Sequence, residues 1–396
     1  MRVLMFCELF SPLIYGGGEV VFWNLAKSLA TRGHEVHVIT RKVVGEKTFE
    51  ERSGVSIWRV GRPQRYAGAL TTSLLDSLTY LAEAFFTGFR IALRRHVDII
   101  HSNTYVPALA GQLCATILRR KHLMTIHDVY LASVPWFWRK WSQQPAVGRA
   151  ARFLGPLLER FFLVMPVTAI QTVSETSKGD LLQAGARSRI VVVPNGISLD
   201  DNHSRSCEAT STDPHQAIFI GRLVFYKNLQ VVLHALARVI RVVPDAKLVV
   251  VGDGPMRAAW QKMVDDLGLE GYVQFHGATS EQKKQYLLEN SAFLVLPSMV
   301  EGFGIVILEA FSRGKPVLAS SIGALRETVS NGVDGYLADP ASEAEWAEKM
   351  MTLFKDAKLA GRMGMMGRNK VVNNFTMDRV ATQMEGVYDA LLGGRR

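Results

Sequence analysis

Both halves of the 396-residue chain open on the same local pattern, and that repetition limits the possible folds more than any other feature. In the first half, the apolar run Val3–Cys7 meets Ser11, Pro12 and the triplet Gly16, Gly17, Gly18. A helical pattern follows from Glu19 to Arg32, then a second apolar run, Glu35–Ile39. In the second half, Ala217–Ile220 meets Gly221 and Arg222, then a helical stretch near Asn228–Val242, then Lys247–Val251. Strand, glycine turn, helix, strand is the parallel βαβ unit. Further strands are expected at 98–101, 122–126, 167–172, 190–193, 273–276, 293–296 and 316–319. The fold class is therefore α/β: two doubly wound Rossmann-like domains facing each other across a cleft. The division expected is 1–196 for the first domain, a linker rich in Asp, Ser and Thr at 197–214, and 215–375 for the second. Ligands of such sheets bind at the carboxyl ends of the strands.

Charge and cysteines narrow the function classes. The net charge of +10 sits wholly in the first half: residues 1–196 hold 24 Lys and Arg against 13 Asp and Glu, whereas the remainder is nearly neutral. An acidic partner should meet that half. The basic residues follow no nucleic-acid-binding module, so an anionic membrane surface or a phosphorylated acceptor fits better. Cys7, Cys114 and Cys207 stand far apart without a C-x-x-C pair, which argues against a disulfide scaffold, a zinc site or a redox motif. Glu8 and Pro12 interrupt the N-terminal apolar run too early for a signal peptide. No apolar run approaches the ~20 residues of a membrane span. A cytoplasmic enzyme, peripheral on the membrane at most, is expected.

Four clusters carry candidate chemistry. The Gly16–Gly18 turn lets backbone approach a ligand and opens a helix whose free N–H groups suit an anion. The dehydrogenase fingerprint is absent; Gly252 and Gly254 lack a third glycine, which disfavours a nicotinamide enzyme. Arg222 and Lys227 put a guanidinium and an ammonium at a strand end, a set suited to a diphosphate. Glu301 and Glu309 flank an expected helix start near Gly304; at 1.5 Å per residue, Glu309 lies about 7–8 Å deeper, so the two carboxylates address different parts of one ligand. Amides from Gly304 to Val306 would meet a phosphate between them. His127 with Asp128, and His101, end neighbouring strands, where they are either cleft residues or satisfied structural ones.

These motifs occur in one order: G-G-x-E at 16–19, His127-Asp128, Pro194-Asn195-Gly196, Gly221-Arg222-Leu223 with Lys227-Asn228, Gly252-Asp253-Gly254-Pro255, and the E-x7-E from Glu301 to Glu309. Together they resemble the family-4 retaining glycosyltransferases of GT-B fold, over essentially the whole chain. The resemblance implies a hexosyltransferase-type enzyme that moves a sugar from a UDP- or GDP-sugar to an acceptor hydroxyl, on a lipid-linked or membrane-associated glycan among the options. It assigns Arg222 and Lys227 to the donor diphosphate, Glu309 to the ribose, and Glu301 with the amides at Phe303, Gly304 and Ile305 to the donor sugar. His127 would touch the sugar near the reaction centre. Gly17 and Gly18 would approach the diphosphate, with Gly16, His101 and Asp128 on the acceptor side. The last helix, 376–396, would pack back on the first domain. No D-x-D metal motif occurs, so cofactor-free, metal-independent transfer is expected, with Arg222, Lys227 and the helix N-terminus stabilising the departing diphosphate. A nucleotide-sugar epimerase on the same scaffold, or a non-catalytic nucleotide-sugar binding protein, stands as the alternative.

The acceptor domain has one further feature. Residues 131–170 combine Trp136, Trp138 and Trp141 with Arg139, Lys140, Arg149, Arg152 and Arg160, opposed by Glu159. Phe153, Leu157 and Phe161, with Leu154, Leu158 and Phe162, form an apolar stripe at helical spacing. Arg90, Arg94 and Arg95 make a second basic patch. Two readings fit: the stripe packs on its own core, or it meets an anionic bilayer.

Overall fold

A computed structural model describes residues 1–10, 16–64, 74–133, 136–143, 150–199 and 212–394. It divides into two compact units, one of Met1–Asn195 with Met377–Arg396, the other of Gly196–Thr376.

The first unit runs β1 (Arg2–Phe6), α1 (Gly17–Thr31), β2 (Glu35–Val43), β3 (Phe49–Arg52), β4 (Val55–Gln64), α2 (Leu74–Arg94), β5 (Ile99–Asn103) and α3 (Tyr105–Leu118). It continues through β6 (Lys121–Thr125), α4 (Tyr130–Ser133), α5 (Phe137–Trp141), α6 (Ala151–Leu163), β7 (Ala169–Thr172), α7 (Glu175–Gln183) and β8 (Arg189–Val192). The strands form one sheet in the order β3-β4-β2-β1-β5-β6-β7-β8, parallel except for β3 against β4. Central strands read as near-continuous apolar runs because both faces are covered: residues 3–6 of β1 are fully buried. Leu4, Phe6 and Ile100 pack under α2 and α3, and Met124 and Ile170 pack under α6.

The second unit contains β9 (Asp213–Ile220), α8 (Leu229–Val239), β10 (Lys247–Val251), α9 (Arg257–Asp266), β11 (Val273–Gly277), α10 (Glu281–Glu289) and β12 (Ser291–Leu296). After these come α11 (Ile305–Ser312), β13 (Val317–Ser320), α12 (Gly323–Thr328), β14 (Gly335–Ala338), α13 (Glu343–Lys355) and α14 (Ala357–Asn374). Its six strands are ordered β11-β10-β9-β12-β13-β14, and every pairing is parallel. The final helix, α15 (Met377–Leu392), belongs to the first unit: Asp378 and Glu385 pair with Arg32 at the end of α1, at 2.5 and 2.7 Å.

Two expectations need correction. β9 begins at Asp213, inside the expected linker, because Asp213 is in register with Ser291 of β12. Residues 200–211 of that linker lie outside the described residues. The pair β3–β4 and the strand β14 extend the sheets beyond what the apolar runs indicate: Phe49–Arg52 is too polar, and Gly335–Ala338 too short, to stand out.

Each sheet reverses its winding once. In the first, the chain leaves β1 toward β2 on one side and later fills β5 on the other; in the second, β9 lies between β10 and β12. Such reversal points leave a crevice at the strands' carboxyl ends, where no crossover covers it.

Candidate functional site

At the reversal point of the second unit, the chain leaves β9 through Gly221, Arg222 and Leu223. The turn is locked to its neighbour backbone to backbone. The amides of Gly221 and Leu223 donate to Val251 and Asp253, at 3.0 and 2.9 Å, and Met256 donates back to Leu223 at 2.8 Å. Gly252 (φ +132°) allows this approach, since a Cβ there would lie 1.9 Å from the Gly221 carbonyl oxygen. The glycines at 252 and 254 therefore serve close packing, and they hold Arg222 exposed at the strand end.

A 3₁₀ turn, Phe225–Lys227, follows. Asn228, left-handed at φ 54°, starts α8 and anchors the turn by donating from Nδ2 to the Pro340 carbonyl at 2.9 Å. This directs Lys227 inward, with Nζ 2.5 Å from Glu301 Oε2 and both side chains 16% exposed. Ser298 Oγ donates to the same carboxylate oxygen at 3.0 Å, and the Met299 amide donates to the Tyr226 carbonyl at 2.7 Å. The loops after β9 and β12 are thus joined, and two residues 74 positions apart form one charged pair.

Gly304, at φ +80°, starts α11 without any side-chain cap. A residue with a Cβ would be strained there and would crowd Ile307, Leu325 and Leu296 at 3.0–3.2 Å. The first amides of α11 are left for an acceptor other than a capping side chain. Phe303 is buried against Phe375, ring centroids 5.8 Å apart, so only its backbone can face a ligand, and Ile305 is half-buried. Glu309 has a cation partner of its own. It pairs with Lys284 of α10 at 3.0 Å, and Glu281 approaches the same ammonium at 3.0 Å. Burial presses the Lys284 ammonium down, but the two carboxylates outweigh it and hold its pKa above the ordinary lysine value.

At the reversal point of the first unit, Gly16 is extended and Gly17 opens α1. Gly18 lies under the His127 ring: a Cβ there would meet Cδ2 and Nε2 at 3.2 Å. Asn103, the last residue of β5, accepts at Oδ1 from His127 Nε2 at 2.9 Å, which leaves Nδ1 as the acceptor nitrogen. Burial lowers the His127 pKa to about 4, so the ring is neutral at pH 7. Asp128 is half-buried, and its carbonyl accepts from the Tyr105 hydroxyl at 3.0 Å. Gly16, Gly17, Gly18, Asn103 and His127 are thus gathered at one sheet edge.

His101 is not available to an acceptor. It is fully buried, with Nδ1 bound to the Tyr388 hydroxyl and Nε2 to Thr125 Oγ1, each at 2.7 Å. Its place in β5 points it into the packing against α15, where Phe22 meets it edge-on at 5.0 Å. The sequence readings also missed three residues of the sites. Asn103 was legible only from its place at the end of β5, Ser298 only from its spacing to Glu301, and Lys284 carries no local signal.

Comparisons with known proteins identify the family and the fold. The family model described as Glycosyltransferase Family 4 matches residues 15–201, and that described as Glycosyl transferases group 1 matches residues 201–370. The chain is 28% identical to the N-acetyl-alpha-D-glucosaminyl L-malate synthase of Bacillus anthracis, covering 94% of this chain and 93% of that protein. Among solved structures it resembles the sucrose-phosphate synthase of Thermosynechococcus elongatus, at TM-score 0.80 and 19% identity over 100% of both chains. It also resembles Anabaena HepE in complex with UDP-glucose, at TM-score 0.72 and 20% identity over 98% of this chain and 100% of that one.

Proposed function

The chain belongs to the family-4 glycosyltransferases and has the GT-B fold, and from that premise we propose that it transfers a hexose from a nucleotide-sugar donor, a UDP- or GDP-sugar, to an acceptor hydroxyl, with retention and without a metal. The observation that carries this reading is the convergence of Arg222, Lys227 and Glu301 at the reversal point of the second sheet.

In this reading the donor diphosphate lies against Arg222, Lys227 and the uncapped start of α11. Departure of the nucleoside diphosphate builds negative charge on the phosphate oxygen that breaks from the sugar's anomeric carbon. Lys227 and Arg222 neutralise it, the office a divalent ion performs in enzymes that use one. The acceptor oxygen bonds to the anomeric carbon from the same face, and its proton passes to the departing phosphate oxygen. Glu301 orients the sugar hydroxyls and, in the free protein, holds Lys227 in place. Glu309, fixed by Lys284, takes the ribose. His127 is neutral at pH 7 and acts as a hydrogen-bonding surface for the sugar, not as a proton donor.

The acceptor is read as anionic. The first unit carries the positive charge, and the Bacillus anthracis relative is named for L-malate, an anion. A lipid-linked glycan with a phosphate linkage has the same character.

The test is release of nucleoside diphosphate from a panel of nucleotide sugars, with EDTA present and candidate acceptors added singly, the product's anomeric configuration being read by NMR. Acceptor-dependent release with retention supports the reading. Inversion, a requirement for added metal, isomerisation of the donor without an acceptor, or binding without turnover would each contradict it.

A further inference from the structure

The outer helices of the first unit leave an apolar, cationic surface that the transfer reaction does not use. Right-handed crossovers put α2, α3 and α6 on one face of the sheet, and α3 packs beside both of the others. On α6, Phe153, Leu154, Leu157, Leu158 and Phe161 are 51–64% exposed. Their spacing joins them into one face of the helix. Phe162 and Leu163, on the opposite face, are buried, so the stripe seen in the sequence divides: Phe162 joins the core and the rest faces out. On α2, Leu75, Leu78, Phe86 and Leu93 are 50–62% exposed, and α3 adds Leu113 and Ile117 at 48% and 57%. Scattered exposed apolar side chains are ordinary, but this many on three adjacent helices mark a contact surface.

The exposed charges on this surface are mostly arginines; the exposed carboxylate of α2, Glu83, accepts from the Gly61 amide at 2.7 Å. Glu159, the only acidic residue of α6, does not neutralise its arginines. It is buried and accepts from the Trp138 indole at 2.9 Å, the Tyr130 amide at 2.7 Å and the Tyr105 hydroxyl at 3.3 Å. Burial pushes its pKa up against those hydrogen bonds. Trp138 lies so close over Gly155 that a Cβ there would stand 2.1 Å from its ring. The buried carboxylate therefore fixes α5 to α6 from inside, while Arg152 and Arg160 stay exposed. Arg90, Arg94, Arg119 and Arg120 are exposed on and just beyond α2 and α3.

We propose that the outer surface of α2, α3 and α6 docks on an anionic lipid bilayer, with the α6 side chains entering the interface and the arginines meeting lipid phosphates. Apolar side chains beside uncompensated arginines fit such a surface. A second copy of the chain fits poorly, because a symmetric pairing through α6 would set Arg152 and Arg160 of each copy near one another with no exposed carboxylate on the helix. Among the described residues no helix is long and apolar enough to cross a membrane, so the contact lies on the bilayer. The inference is independent of the donor site and stands or falls without it.

The experiment is co-sedimentation of the full chain with vesicles of phosphatidylcholine alone or mixed with phosphatidylglycerol, at low and high salt. Two variants accompany it, Phe153→Ser/Leu157→Ser/Phe161→Ser and Arg152→Glu/Arg160→Glu. The wild type should bind the anionic vesicles and lose binding at high salt. Each variant should bind at least about tenfold more weakly, with its melting temperature and nucleotide affinity retained. Absence of wild-type binding to either vesicle, or variants that bind as the wild type does, would overturn the proposal. So would a concentration-dependent dimer that the variants abolish, since that would assign the surface to a second copy.

Discussion

Replacing Lys227 by Met tests the donor site where it is most exposed to refutation. The ammonium sits 2.5 Å from Glu301, and each side chain is 16% exposed. A diphosphate oxygen about 4 Å from the same nitrogen would gain about 4 kcal/mol per unit charge at an effective dielectric of about 20. Because the charge grows as the leaving group departs, most of that acts on the transition state. Loss of one preorganised donor costs about 10²–10³ in turnover, which matches that energy. Stability responds far less. Glu301 keeps its hydrogen bond from Ser298, and losing one partner of a mostly buried pair costs about 1–2 kcal/mol, or about 2–8 °C in the second unit's melting temperature. The assay is nucleoside diphosphate release at saturating donor, beside thermal unfolding followed by circular dichroism. A variant within about threefold of wild-type turnover would refute the role assigned to Lys227. Glu301→Gln provides the complement: it frees Lys227 from its competitor, so the bare nucleoside diphosphate should bind at least as tightly while transfer falls.

Three other outcomes follow from particular contacts. Lys284→Met removes the cation that fixes Glu309 and should raise the donor KM about tenfold with kcat nearly unchanged, as uniform binding loss requires; steady-state kinetics read this directly. Gly18→Ala puts a methyl 3.2 Å from the His127 ring and should cost up to about 10²-fold in kcat/KM through misplacement, with little change in melting temperature. His101 and His122 are buried with pKa values lowered to about 3. Below pH 6.5 the unfolded chain binds protons that the folded chain does not. The first unit should therefore lose stability as pH falls from about 6.5 toward 3, by up to about 1.4 kcal/mol per pH unit for each ring. Denaturant unfolding across that range measures the slope, and His101→Gln should flatten it.

The fold was legible because the central strands of parallel sheets are apolar on both faces and end in glycine turns, as Val3–Phe6 and Ala217–Ile220 do. The edges were not: among the described residues β3 pairs only with β4, so its polar residues need no buried face. In the site, motif order pointed to Arg222, Lys227, Glu301 and Glu309, yet their partners came from elsewhere in the chain. Lys284 reaches Glu309 across 25 positions, a relation that leaves no mark in local spacing. His101 shows the opposite failure. A histidine at a strand end looks like a ligand, but Tyr388, 287 positions away, closes over it. The exposed face of α6 escaped a decision for a related reason: amphipathic spacing shows that a helix has an apolar face, and only the packing of Glu159, Trp138 and Gly155 shows which face is turned inward.

The proposed donor site requires that the second unit hold a nucleoside diphosphate with Arg222, Lys227 and Glu309, and without a metal. Thermal unfolding of the wild type and Lys227→Met with UDP, GDP and ADP, each with and without EDTA, tests it most directly. At about 100 times the dissociation constant a bound nucleotide adds about 2.7 kcal/mol, or about 5–10 °C for a unit of this size. Such a shift is expected for one nucleotide in the wild type, unchanged by EDTA and much reduced in the variant. No shift with any nucleotide, or a shift that EDTA abolishes, would contradict it.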